Sequence, residues 1–386
     1  MQRRLRIVLA SPAYWPAHAF GGPVVVAREL VSRLVRHGHD VEVITTTLRG
    51  VGERADRRTS VEIVDGARVS YLGTPLRYRW MGITPTLPLV LGRLARPDIV
   101  HVMGFRDPVT TIVSRWCRAK GAPYVFEPVG MLRPRLRKVR LKRAFDSTLA
   151  RGVASGARLV IVSSPRERED VLACGVDAAR ARLRGNAFPE PPPAAGGDPL
   201  AGIVPAGAPV VLYVGRIAAE KGVEHLLEAA RRLRDIHVVL AGPDDRHGTV
   251  AAVQAAVADP RTAGRIHLLP PTPGPPFDLY RRADVFVLAS GGENFGLVAA
   301  EAAAVGTPVI VSDRTGVAAS FGEGEALVVR YAPEATVDAV ARVVTDAALR
   351  KRLSEGALHA ARRSTWEAIV DEQVAIYEEA LADPGD

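Results

Sequence analysis

At 386 residues, with 47% hydrophobic and 24% charged side chains, the chain has the composition of a folded protein and the length of two ordinary domains. Disorder is excluded on that balance, and two cysteines, Cys117 and Cys174, are too few for a disulfide scaffold or a thiolate cluster, so a reducing, cytoplasmic setting is expected. The 51 Lys and Arg against 42 Asp and Glu give a formal charge of +9, which admits nucleic acid, an anionic membrane or anionic small substrates as partners.

The first expected strand, Arg6–Ser11, follows Arg3-Arg4-Leu5 so closely that no signal peptide is expected ahead of it. No apolar run approaches the roughly 20 residues of a membrane span. The strand leads into a loop ending Gly21-Gly22-Pro23. Paired glycines allow backbone to approach a ligand, or make an ordinary turn; Pro23 suits the first turn of a helix expected over Pro23–His37. Further strands are expected at Val41–Thr46, Ile99–Met103, Pro123–Glu127 and Leu159–Ser163. The strand Ile99–Met103 carries His101 near its carboxyl end. An imidazole there can contact a sugar, assist deprotonation of an acceptor, or be a core histidine satisfied by backbone. Gly130-Met-Leu-Arg-Pro134 runs into an overlapping stretch, Arg133–Arg143, in which seven of eleven residues are basic. It reads as a solvated face, a contact for a phosphorylated acceptor, or a contact for an anionic membrane surface.

Residues 184–208, with Pro191-Pro-Pro193 and Gly196-Gly197, lack periodicity and read as an interdomain linker. The second half restarts with strands Pro209–Val214, Ile236–Ala241, Arg265–Leu269, Val285–Ala289 and Pro308–Ser312, with a helix at Val223–Arg234 and a closing run of helices from Ala335 to Leu381. Strands alternating with helices in two rounds predict an α/β protein of two doubly wound parallel sheets. The expected division is 1–190, a linker at 191–208, and 209–363.

Two strand ends carry charge. Gly215-Arg216-Ile-Ala-Ala-Glu-Lys221-Gly222 joins a strand to a helix and offers a guanidinium and an ammonium suited to a diphosphate. Strand Val285–Ala289 runs through Ser290-Gly-Gly-Glu293-Asn-Phe-Gly296 into a helix beginning near Leu297. The unpaired amides and dipole of such a helix favour an anion. Glu293 and Glu301, with seven residues between them, add carboxylates that an anion site alone does not need; carboxylates hold hydroxyls. No Asp-x-Asp, no Gly-x-Gly-x-x-Gly and no Gly-Lys pair occurs, which removes a metal-bound diphosphate motif, a dinucleotide fingerprint and a P-loop.

The Glu293–Glu301 segment in its strand–turn–helix setting resembles the E-x7-E segment of glycosyltransferase family 4, retaining enzymes of the GT-B fold. Gly215–Gly222 resembles that family's G-R-x-x-x-x-K-G loop, and Gly130–Pro134 the G-M-L-x-P segment of one branch, though Arg135 stands where an aromatic is usual. Many relatives read H-V-H-G where this chain has His101-Val-Met103-Gly104. The resemblance implies two Rossmann-like domains facing a central cleft, the last helix, from Ser364, crossing back onto the first domain to complete it. It implies that Arg216 and Lys221 hold the donor pyrophosphate and that Gly21 and Gly22 lie against donor phosphate and acceptor. Gly242 and Leu269 would lie near base and ribose, Asn294, Phe295, Gly296 and Leu297 at the donor phosphates, Glu293 on the donor sugar and Glu301 on the ribose. His101 is expected to contact donor sugar or acceptor.

The expected activity is metal-independent, retaining transfer of a sugar from a nucleoside-diphosphate sugar to an acceptor hydroxyl. No carboxylate is offered for a double displacement, so a front-side route is expected, in which the departing phosphate oxygen takes the acceptor proton. An epimerase, a phosphorylase and a non-catalytic sugar-nucleotide-binding subunit remain alternatives, and acceptor, base and sugar stay open.

Overall fold

The computed structural model describes residues 3–382 apart from 51, 52, 54, 79, 135–144, 147, 149, 151, 245, 246 and 273. The chain forms two compact units, Met1–Gly185 with Trp366–Asp386, and Asn186–Thr365.

The first unit holds β1 (Arg6–Ala10), α1 (Gly22–Arg36), β2 (Asp40–Thr46), β3 (Ser60–Val64), β4 (Ala67–Leu72), β5 (Leu76–Tyr78), β6 (Met81–Ile83) and α2 (Leu87–Arg93). They are followed by β7 (Ile99–Met103), α3 (Pro108–Lys120), β8 (Tyr124–Glu127), β9 (Leu159–Val162), α4 (Pro165–Ala173) and β10 (Ala181–Leu183). Eight strands form one sheet in the order β10-β9-β8-β7-β1-β2-β4-β3, and β5 and β6 pair as a separate hairpin. β1 lies between β2 and β7, parallel to both, and its Ile7, Val8 and Leu9 are buried, as a strand covered on both faces requires. Helix α1 starts with Pro23 in its first turn and buries Val24, Ala27, Leu30, Val31 and Leu34, the three- and four-residue spacing of one helical face.

Four short strands, β3 to β6, occupy a region where the sequence suggested none. β3 is antiparallel to β4, exposed along most of its length, and so lacks the apolar run that reveals a buried strand.

The second unit holds β11 (Val210–Val214), α5 (Val223–Arg232), β12 (His237–Ala241), α6 (Thr249–Ala258), β13 (Ile266–Leu269), α7 (Phe277–Arg282), β14 (Val285–Leu288), α8 (Leu297–Ala304) and β15 (Val309–Ser312). It ends with β16 (Leu327–Val329), α9 (Pro333–Thr345) and α10 (Ala347–Arg363). Its six strands are parallel in the order β13-β12-β11-β14-β15-β16. The Pro/Gly-rich stretch read as a linker is not a free tether: Phe188, Leu200 and Val204 are buried in this unit's core. The last helix, α11 (Trp366–Ala382), groups with the first unit and buries Val370, Val374 and Tyr377. Among the described residues no helix is long and apolar enough to cross a membrane.

Candidate functional site

In a parallel doubly wound sheet the loops at the strand carboxyl ends carry the ligand contacts. In the second unit these are the loops after β11, β12, β14 and β15, and they are tied to one another.

The first two are zipped together. The Gly215 amide donates to the Ala241 carbonyl at 2.9 Å and the Ile217 amide to the Pro243 carbonyl at 2.8 Å. A Cβ on Gly242 would lie 2.0 Å from the Gly215 carbonyl oxygen, so only glycine fits this crossing. The Gly242 amide reaches back to the carbonyl of Leu269, the last residue of β13, at 3.3 Å. Arg216 is anchored through its main chain, whose carbonyl accepts the Tyr213 hydroxyl at 2.8 Å. Its guanidinium is half exposed and lies 3.2 Å from Glu220, a surface pair that a ligand anion can displace at small cost.

The loop after β11 ends at Gly222, which leads into α5 with φ of 69°. A Cβ there would fall 1.8 Å from the Ala289 carbonyl oxygen, so this loop lies directly on the end of β14. The contact brings Lys221 to Glu293: its ammonium donates to Glu293 Oε2, and the side chains are 17% and 24% exposed. A cation and a carboxylate thus neutralise each other at a partly open mouth.

Beyond Glu293 the chain passes Asn294 and the buried Phe295 to Gly296, the residue that caps α8, and Leu297 begins the helix. The first amides of any helix have no partner within it, so the start of α8 offers donors to an anion. Glu301, on the second turn of α8, has a different environment. The hydroxyl of the fully buried Tyr280 donates to its Oε2 at 2.7 Å. Burial pushes the Glu301 carboxyl up to about 7, and the Tyr280 hydrogen bond offsets part of that rise. The sequence did not single out Tyr280, because a tyrosine among Phe277, Leu279 and Ala283 reads as core.

The remaining expected residues belong to the first unit. Gly21, with φ of 71°, precedes α1, and Gly22 is the first residue of that helix. His101 lies in the interior with no exposure. Its Nδ1 is 2.8 Å from the Tyr377 hydroxyl of α11, and its Nε2 lies 3.1 Å from Glu127 Oε2, in ion-pair range but off the line of a good hydrogen bond. Glu127 also receives the Arg184 guanidinium at 2.9 Å, and Arg184 reaches Gln373 at 2.6 Å. Burial alone would raise the Glu127 carboxyl; Arg184 and His101 outweigh it and hold the group below the usual carboxylate range. His101 would have to leave this network to touch a substrate. Of the basic stretch, Arg133 pairs with Asp170 at 3.0 Å, and residues 135–143 lie outside the described residues.

Two family models match the chain, a glycosyl transferase 4-like domain over residues 21–187 and glycosyl transferases group 1 over residues 202–359. D-inositol 3-phosphate glycosyltransferase of Corynebacterium glutamicum is 34% identical over 191 residues, 46% of this chain and 45% of that protein. The chain spans about half the length of the curated relatives it matches. Among solved structures, sucrose-phosphate synthase from Thermosynechococcus elongatus superposes with a TM-score of 0.77 at 24% identity, covering 98% of this chain and all of that one. The catalytic domain of starch synthase IV from Arabidopsis thaliana, bound to ADP and acarbose, gives 0.76 at 17% identity over 98% of this chain and all of that one. At such identities these structures speak to the fold.

Proposed function

Because the chain belongs to the GT4-type glycosyltransferases and has their GT-B fold, we propose that it moves a sugar, with retention and without a metal, from a nucleoside-diphosphate sugar to an acceptor hydroxyl. The observation that carries this reading is the Lys221–Glu293 pair at the mouth of the second unit. A diphosphate would draw Lys221 and Arg216, leaving Glu293 to accept from donor-sugar hydroxyls. The amides at the start of α8 would take charge growing on the leaving diphosphate, as preorganised dipoles do. Glu301, braced by Tyr280, would accept from the ribose, and Gly242 and Leu269 would lie beside the nucleoside. In the front-side step the bond from the anomeric carbon to the phosphate oxygen breaks as the acceptor oxygen bonds to the same face. The acceptor proton passes to the departing phosphate oxygen.

Gly21 and Gly22 would approach the donor phosphate and the acceptor, with His101 shaping that side from within the core. Solved neighbours include trehalose-phosphate synthase with glucose-6-phosphate, and the curated relatives are named for D-inositol 3-phosphate. Sugar and polyol phosphates therefore head the acceptor panel. Peripheral contact of Arg133–Arg143 with an anionic membrane belongs to the same proposal and is supported by charge alone, about 1 kcal/mol per basic residue near such a surface.

The test is product analysis in EDTA with a panel of nucleotide sugars and acceptors, reading anomeric couplings by NMR. An α-linked product from an α-linked donor is expected. Inverted product, free sugar or epimer formed without an acceptor, or dependence on inorganic phosphate would each replace this reading.

A further inference from the structure

We propose that Ser312, which lies outside the motifs quoted above, is a positioning residue for the transfer reaction. Its hydroxyl closes a ring of hydrogen bonds that sets how far Glu293 reaches toward Lys221. The inference rests on the donor-site reading of that pair.

The turn from Ser290 to Glu293 contains Gly291 and Gly292 and has little conformational preference of its own. Two buckles hold it. On one side the Glu220 carbonyl accepts from the Gly291 amide at 2.9 Å and from the Ser290 hydroxyl at 3.1 Å; Glu220 directly precedes Lys221. On the other side Ser312, the last residue of β15, donates its hydroxyl to the Ser290 carbonyl at 2.5 Å and accepts from the Arg314 amide at 3.2 Å. The Arg314 carbonyl accepts the Glu293 amide at 3.2 Å, and the Glu293 carbonyl takes the Gly316 amide at 3.1 Å. Both ends of the turn are therefore joined through Ser312. Ser290 and Ser312 are fully buried, so water cannot replace either hydroxyl without entering the core.

The Ser312 hydroxyl links the backbone before the turn to the strand-end loop that holds the backbone of Glu293. Without it the Ser290 carbonyl and the Arg314 amide lose their shared partner, and the turn is tied to the end of β15 only through the main-chain bonds of Glu293 to Arg314 and Gly316. Displacement of about 1 Å at such a site can lower turnover a hundredfold, while the fold keeps its cores.

The experiment compares wild type, Ser312→Ala, Ser290→Ala and Ser312→Thr, each with and without Lys221→Ala. Amide hydrogen exchange of residues 290–296 is followed in the free protein, and affinity for UDP, GDP and ADP is measured by calorimetry. Ser312→Ala is expected to speed exchange at Gly291–Glu293 and to weaken binding of the preferred diphosphate roughly tenfold, the effect of one buried hydrogen bond. Lys221→Ala should then add little, because both substitutions break one unit, and Ser312→Thr, which keeps the hydroxyl, should restore binding. Unchanged exchange, or losses that multiply in the double variant, overturns the proposal. A wild-type protein that binds none of the three diphosphates overturns the donor-site reading itself and the role of Ser312 with it.

Discussion

Tyr280 donates its hydroxyl to Glu301 Oε2 across 2.7 Å, and the Tyr280 carbonyl is in turn held by the Thr307 hydroxyl at 2.7 Å. Glu301 therefore has a fixed partner that favours its charged form, in surroundings that favour its neutral form.

That opposition predicts a pH dependence. The Glu301 carboxyl rises from 4.5 to about 7 on folding, so the folded state prefers the proton. Its contribution to stability is fully present below pH 4.5 and is lost as pH rises through about 7. Urea unfolding at a series of pH values should show wild type losing on the order of 3 kcal/mol relative to Glu301→Gln over this window. Tyr280→Phe removes the bond that favours the carboxylate and should move the loss to higher pH.

Glu293 and Glu301 should separate kinetically. Glu293→Ala removes the carboxylate paired with Lys221, and kcat should fall by about two orders of magnitude, the usual effect of losing a charged contact to the reacting sugar. Glu301→Ala should act mainly on KM for the donor. Steady-state kinetics with the preferred nucleotide sugar distinguishes the two, and equal effects of both changes on stability alone would remove the assignment.

Gly222 and Gly248 have similar backbones, with φ of 69° and 93°, but different neighbours. A Cβ on Gly222 meets the Ala289 carbonyl oxygen at 1.8 Å, whereas one on Gly248 meets nothing within 4 Å. Gly248→Ala should destabilise by about 1 kcal/mol, the cost of the left-handed conformation. Gly222→Ala should cost several times more, because backbone has to move, and calorimetric melting reads the difference.

In the first unit, Arg184→Met would leave the Glu127 carboxylate buried beside His101 without its guanidinium. A loss of about 3–5 kcal/mol is expected, as for breaking one side of a buried ion pair. Tyr377→Phe removes only a neutral partner of His101 and should cost about 1 kcal/mol. Chemical denaturation of the two variants tests the ranking.

The buried parallel strands were legible because runs such as Ile7-Val-Leu9 and Val285-Phe-Val-Leu288 are apolar throughout. The β3–β4 hairpin was missed although its signal is present: Asp65-Gly66, with φ of 50° and 83°, is the two-residue turn that joins twisted strands. The exposed face of β3 hid it. Lys221 and Glu293 stood out because each is a charge on a glycine-bearing loop between apolar elements. Tyr280 and Glu301 lie 21 residues apart on different helices, and nothing local couples them. The His101 network draws on Glu127, Arg184, Gln373 and Tyr377 from distant parts of the chain, so the placement of that imidazole in the core followed from tertiary packing alone. Ser312 gave no signal beyond a small polar residue ending a strand.

On the proposed reading, Lys221 and Glu293 mark the seat of a donor diphosphate. Isothermal titration of UDP, GDP, ADP, TDP and CDP in EDTA, into wild type and Lys221→Ala, reads whether they do. Selective binding of one diphosphate by wild type is expected, with a loss of at least about tenfold in the variant, the worth of one charge-assisted contact. Binding of none of the five, or equal binding by the variant, would contradict it.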